Sequence, residues 1–338
     1  MSNTKTILFT LSLLLCNATA WAQWDVSLAQ HWSIEGYYNP SVAGATEGIR
    51  ISGAYQHRWS GIEGSPKTAI VTADTPFRFI GKQHGMGLVV GTEIMGQKSN
   101  SLLAAQYAYR QKVGSGYLSA GIQAGIYQLA FDAGNLTLAN DSVANNTVMI
   151  RTNFTDRSVF DFNAGLSWKG RHFFAGISVM HLTSPWFYAQ SDSTLVAVAS
   201  PDSIRRHIPR SYNFMASYNI SLFYPLDIQP MIWVQGTNAT TQIRATMRAI
   251  FRQKYSGGAS WVKNDGYVFF AGALIRGVEI GYAYSLHTQG IGKKGNGSHE
   301  YTSVTEFRSM LSIKNRLRAK VSAYCKFANL ETTTYISI

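Results

Sequence analysis

The chain has 338 residues, a formal net charge of +12, 14% charged residues and 13% aromatics, whereas a typical soluble domain is roughly a quarter charged. So few charges beside so many rings argue against an ordinary soluble globule and suit a surface that faces lipid and its interfaces. The basic excess does not make a nucleic-acid binder either: no run of five or more cations and no nucleic-acid motif occurs, so the scattered Lys and Arg fit a lumen lining, anionic headgroups or an acidic partner.

At the N-terminus, Lys5, the apolar run Ile7 to Leu15 and the small-x-small element Ala20-Trp21-Ala22 form a secretory signal; residues 1–22 are expected to be removed, leaving Gln23 first. The apolar run is about half the roughly 20 residues of a spanning helix. Leu15 stands before Cys16, where lipid attachment needs a small residue. Loss of the signal would leave Cys325 as a lone cysteine and exclude an intrachain disulfide. No later apolar run reaches spanning-helix length. Residues 23–47 read as a periplasmic or plugging segment, with turn-forming Asn39-Pro40-Ser41-Val42-Ala43-Gly44 near its end.

From residue 48 the chain breaks into short stretches of period two. Strands are expected at about 48–59, 66–77, 84–96, 100–112, 116–129, 159–169, 172–182, 211–221, 226–236, 241–252, 255–263, 266–275, 278–287 and 299–311. In the tenth, Gln242, Arg244, Thr246 and Arg248 alternate with Ile243, Ala245, Met247 and Ala249, giving one wet face and one oily face. Inward positions such as Ser119, Gly121, Gln123, Gly125 and Tyr127 imply a polar lumen of mixed side-chain sizes. An all-β, antiparallel outer-membrane barrel of about fourteen strands over 48–311 follows, with a basic extension at 312–338. Gly114-Ser115-Gly116, Lys169-Gly170-Arg171 and Asn264-Asp265-Gly266 are tight hairpin signals, assigned to the periplasmic side. The polar segments 132–157 and 183–210 are assigned to the outside as long loops.

Catalytic and metal chemistry has little support. None of the eight histidines has a metal-site spacing. His299-Glu300 reads as a hydrogen-bonding pair near the start of the last strand. Ser178 and His181 lie in one strand three residues apart, which puts them on opposite faces of an ideal strand and argues against a dyad. Asp161 and Asp227 read as single lumen-lining acids. No cofactor motif is present.

The element Asn39-Pro40-x-x-Ala43-Gly44, followed by Trp59-Ser60-Gly61-Ile62-Glu63-Gly64-Ser65-Pro66-Lys67, closely resembles the PorP/SprF family of type IX secretion system membrane proteins. The likeness continues through Gly176 to Leu182 with His181, Arg210-Ser211-Tyr212-Asn213, Asp265-Gly266-Tyr267-Val268 and Gly297-Ser298-His299-Glu300, over roughly residues 30 to 311. Members commonly end a few residues past the His-Glu element, whereas this chain runs on to Ile338.

The resemblance implies a non-enzymatic barrel that helps to export or surface-attach cargo bearing C-terminal sorting domains, with a link to gliding motility. Its implied partners are the translocon, the periplasmic ring and motor proteins, cargo C-terminal domains and outer-membrane lipid, with no nucleic acid and no cofactor. The motif residues Asn39, Pro40, Gly44, Trp59, Gly61, Ile62, Gly64, Pro66, Lys67, His181, Asp265, Gly266, His299 and Glu300 are structural or partner-binding in that reading. The alternative is a passive porin in which Gln229, Gln242, Arg244 and Arg248 set a weak anion preference. A barrel hydrolase ranks last.

Overall fold

The structure, a computed structural model, describes residues 25–131, 154–188, 205–238 and 240–308. The expected signal peptide, most of the segment 132–157, the centre of 183–210 and the basic extension lie outside the described residues. In chain order the strands are β1 Gly48–His57, β2 Lys67–Phe79, β3 Lys82–Met95, β4 Lys98–Val113, β5 Gly116–Phe131, β6 Phe154–Lys169, β7 Phe173–Met180, β8 Trp186–Tyr188, β9 Arg205–His207, β10 Ser211–Tyr218, β11 Ile220–Phe223, β12 Leu226–Gly236, β13 Thr241–Phe251, β14 Tyr255–Val262, β15 Gly266–Ile275, β16 Val278–His287 and β17 Ser298–Arg308. β8 and β9 form a separate small hairpin that the sequence reading took as loop. β11 carries β10 onward past Asn219.

The remaining strands pair antiparallel with their chain neighbours; β1 pairs with β17, and β10 pairs with both β7 and β12, which closes a fourteen-stave barrel. Closure lets neighbouring staves satisfy each other's backbone groups around the whole ring, as lipid demands; β6 outruns β7, pairing with it only over residues 164–169. Period-two alternation sets the register. In β4, Leu102, Ala104, Gln106 and Ala108 are buried while Leu103, Ala105 and Tyr107 are exposed. The outward set includes Val71, Val90, Ile122, Phe160, Leu166 and Ile177, a band far too apolar for water. Exposed rings stand near both rims, with Tyr212, Trp261 and Tyr267 at one and Tyr117, Tyr218 and Tyr255 at the other, the interfacial girdles of an outer-membrane barrel. No helix among the described residues is long and apolar enough to cross a membrane.

The two rims differ. Joints 80–81, 114–115, 170–172, 224–225, 252–254 and 276–277 lie at one end, the turn end. The other, the loop end, carries 58–66, 96–97, 237–240, 263–265 and 288–297, together with the strand ends from which 132–153 and 181–210 leave and to which they return. Up-and-down order therefore moves the Asn264-Asp265-Gly266 turn to the same end as the long segments, because strands must alternate direction however short the joint is. The sequence reading had grouped it with the opposite turns.

The lumen is more apolar than its alternation suggested. Residues 25–45 run inside the barrel from the loop end toward the turn end, through a 3₁₀ turn at His31–Ser33, the one-turn helix α1 at Glu35–Tyr38 and a second 3₁₀ turn at Pro40–Val42. Val26, Leu28, Ile34, Tyr37 and Tyr38 form one core with inward Ile70, Val89, Leu102, Tyr127, Met180 and Trp233. Ala29 and Trp32 pack with Met231, Val262, Val268 and Phe270 in another. Burying a residue such as Leu28 completely contributes about 1.5–3 kcal/mol.

Candidate functional site

The motif residues fall into two groups, one gripping the luminal segment and one binding the loop-end joints together. Deepest in the lumen, Asn39 caps the turn at Pro40–Val42: its Oδ1 accepts from the Ser41 N–H at 3.0 Å and the Ser41 hydroxyl at 2.7 Å. Its Nδ2 donates to the carbonyls of Leu166 (3.2 Å) and Ile177 (3.3 Å) on β6 and β7. So close an approach to the wall needs residues without side chains. A Cβ at Gly121 would strike the Pro40–Ser41 backbone, and one at Gly165 would strike Asn39. Pro40 is buried, and Gly44, at φ 65°, donates its N–H to Asp74 at 2.9 Å while its carbonyl accepts from Arg110 at 2.8 Å.

Nearer the loop end, Glu300 takes the Ala29 and Gln30 N–H groups on its two oxygens at 2.5 and 2.6 Å, and the Gln56 amide at 2.9 Å. Arg244 donates to the Leu28 carbonyl and, at 3.2 Å, to the Ser27 hydroxyl, which in turn donates to Gln242. On the opposite wall, His181 is fully buried between Asp25 (Nε2 to Oδ1, 2.8 Å) and Asp161 (Nδ1 to Oδ2, 2.6 Å), with Tyr127 edge-on. Burial alone would push this imidazole down, but the Asp25 charge and the hydrogen bonds to Asp161 and Asp25 outweigh it and raise its pKa to about 9. The cation so favoured ties the start of the segment to β6.

Three expectations are corrected. Ser178 and His181 both face the lumen, because His181 lies just beyond β7 at φ 58°, which breaks the alternation. They still make no dyad: Ser178 donates to the Tyr38 carbonyl at 2.6 Å and both His181 nitrogens face carboxylates. Asp161 is not a single lining acid but one jaw of that clamp. His299 and Glu300 are not bonded to each other; as adjacent strand residues they face opposite sides, and His299 bonds the Tyr282 hydroxyl at 2.8 Å on the outer face.

The second group binds the rim. In the first hairpin Gly61 and Gly64 take φ of 86° and 68°, and the buried Pro66 accepts the Arg58 N–H at 2.9 Å. Ile62 bridges the hairpin's own turns, donating to the Trp59 carbonyl and accepting from Ser65, and Lys67 is exposed at the start of β2. This hairpin is stitched to 288–297 by Ser60 N–H to Gly297 (2.8 Å) and Asn296 N–H to Ser60 (2.7 Å), and to 96–97 by Gly96 N–H to Gly64 (2.8 Å). Trp59 donates its N–H to the Ser298 hydroxyl at 2.9 Å; Ser298 contacts His287 at 2.7 Å, and His287 contacts Asp265 at 2.6 Å. Burial would raise the Asp265 carboxyl, but the His287 hydrogen bond and charge, with Arg58, hold it below its ordinary value. Gly266 follows at a point where a Cβ would strike the Leu286 carbonyl.

This serine–histidine–aspartate chain has no sequence signature, since Asp265 lies in the 263–265 joint while His287 and Ser298 stand on the strand ends flanking 288–297, and the three share no motif spacing. Ser298 is 2% exposed and its hydroxyl accepts the Trp59 N–H of the first hairpin, so the chain fastens three joints instead of presenting a nucleophile. Asp25 was missed for the same reason: its partner is 156 residues away.

Among solved structures, the chain is similar to the Pseudomonas putida toluene transporter TodX, at 9% identity and TM-score 0.46 over 83% of this chain and 93% of that one. It is also similar to the Ralstonia pickettii toluene transporter TbuX, at 11% identity and TM-score 0.45 over 86% and 96%. The translocator domain of the autotransporter NalP from Neisseria meningitidis matches at 14% identity and TM-score 0.38 over 82% and 96%. No curated protein matches the chain. The model of the type IX secretion system membrane protein family PorP/SprF matches residues 20–304, spanning both groups of motif residues. The chain belongs to the PorP/SprF family of type IX secretion system membrane proteins.

Proposed function

We propose that this outer-membrane barrel is a non-enzymatic, non-conducting docking component of type IX secretion, supporting export or surface attachment of cargo with C-terminal sorting domains and, through it, gliding motility. In this reading a cleaved signal peptide delivers the protein, the loop end faces outward toward cargo and translocon, and the turn end faces the periplasmic ring and motor. The carrying observation is the luminal segment: Ala29 and Gln30 are locked on Glu300, and Leu28 on Arg244, across the bore. A docking part needs a rigid frame for its surfaces and no channel.

The passive-pore reading needs Gln242, Arg244 and Arg248 free to meet solutes. Instead Gln242 and Arg244 hold the segment, and Arg248 pairs with Glu279 at 2.5 Å. Deletion of the gene, with quantitation of secreted and surface proteins, tests the proposal. Loss of sorting-domain cargo from medium and surface is expected; unchanged export would overturn it. Purified protein in a planar bilayer is expected to be electrically silent, and steady ohmic conductance would favour the pore.

A further inference from the structure

The turn end holds a recess that the luminal segment does not fill. Its volume is about 990 Å³, its floor is Ser41, Val42, Ala45 and Thr46, and its walls carry Arg78, Arg110, Lys169 and Arg171 against Glu35 and Glu47. Alternation explains the cations: Arg78 follows inward Thr68, Ile70 and Thr72 on β2, Arg110 follows inward Gln106 and Ala108 on β4, and Lys169 follows inward Ser167 on β6. Arg110 is engaged with Ser119 and the Gly44 carbonyl. Arg78, Lys169 and Arg171 are exposed and have no carboxylate partner among the described residues. The recess lies within the size range of ligand clefts, roughly 300–1,000 Å³, and guanidinium groups converging on one cleft favour carboxylates through paired, charge-assisted bonds.

We infer that this cationic vestibule docks an acidic peptide segment of a periplasmic partner, which deepens the secretion reading and rests on it for the orientation of the barrel. A peptide fits better than a membrane lipid because the cations at inward positions point to the bore, whereas headgroups surround the outer wall. A peptide seated there would press on Ser41 to Thr46, directly below the Asn39 anchor.

The test uses the full mature chain in detergent micelles, with anisotropy of a fluorescein-labelled peptide alternating Glu and Gly. Saturable binding that weakens with salt is expected, with none for the matching Lys and Gly peptide. The double variant Arg78→Glu with Lys169→Glu is expected to lose about tenfold or more in affinity, while Arg276→Glu, on the rim outside the recess, changes it little. Heat-modifiability on gels checks that each barrel is folded, and the milder Arg78→Gln should give an intermediate loss. No binding, equal loss in vestibule and rim variants, or displacement of the peptide by phosphatidylglycerol vesicles but not by free acidic peptide would overturn the inference. Peptide affinity is read on the isolated protein and export on the deletion strain, so either reading can fail while the other stands.

Discussion

The two ends of the barrel are built on different principles. At the turn end strands reverse in two or three residues, and five of the six joints carry a cation in the turn or within two residues of it. At the loop end four of the seven joints have nine residues or more, and among the described residues several are bonded to one another: the first hairpin leans on 288–297 and 96–97, and Trp59, Ser298, His287 and Asp265 form one continuous chain. The contrast teaches where this family's motif residues act. Trp59 to Lys67, Asp265, Gly266, His299 and Glu300 sit at or near the loop end, and Asn39 to Gly44 secure the luminal segment lower down; none lies in the joints of the turn end. Among the described residues the bracing between joints is concentrated at 58–66, 96–97, 263–265 and 288–297, since an unbraced loop would present no fixed surface.

The largest break in that contrast is expected from Glu300→Ala. It strands two buried N–H groups and leaves Arg244 without its nearby carboxylate, a loss of about 3–5 kcal/mol, read as a lower urea midpoint in micelles and as conductance in a bilayer. Gly121→Leu comes next, because the added side chain meets the Pro40–Ser41 backbone; about 1–3 kcal/mol of overpacking should release the segment to protease while the outer band stays folded.

A graded effect follows from His181. Its folded pKa of about 9 stands above the unfolded value of about 6.5, so the stability it contributes is fully present below about pH 6.5 and is lost as pH rises through 9. The protection factor of the Leu28 amide, with the intrinsic base-catalysed rise in exchange divided out, should fall across that window, and a flat protection profile would contradict the clamp. Gly64→Val, forcing a branched residue to φ 68°, should cost about 1–2 kcal/mol and lower the temperature of the gel shift. Lys112→Ala at the turn end should move stability by about 0.5 kcal/mol or less; a larger change there would erase the difference between the ends.

The barrel itself was legible because one force acts on every stave: lipid outside and side chains inside impose period two, and β13 shows it at its centre, where buried Arg244 and Thr246 alternate with exposed Ala245 and Met247. Ends were less legible, since β7 stops at Met180 by hydrogen bonding that alternation does not encode. The Asn264 turn was misassigned because its Asn-Asp-Gly chemistry marks a reversal without saying at which rim. His181 was misjudged because a single left-handed residue defeats parity. The clamp with Asp25 and the Ser298 chain were invisible for a common reason: each joins residues that only closure of the barrel makes neighbours. Inward Ile70, Val89 and Trp233 were visible as apolar residues on the wrong face, and their partner was the segment that precedes the barrel.

That segment also imposes an order on assembly. It is synthesised before the strands, yet the carboxylate that holds Ala29 and Gln30 arrives about 270 residues later on β17, the same strand that seals the seam with β1. The seam and the last grip on the segment are therefore completed together. Zipping the cylinder shut without the leading peptide inside would leave Glu300 with the Gln56 amide but without the two N–H groups of Ala29 and Gln30, so a correctly threaded molecule is the one that gains most from sealing.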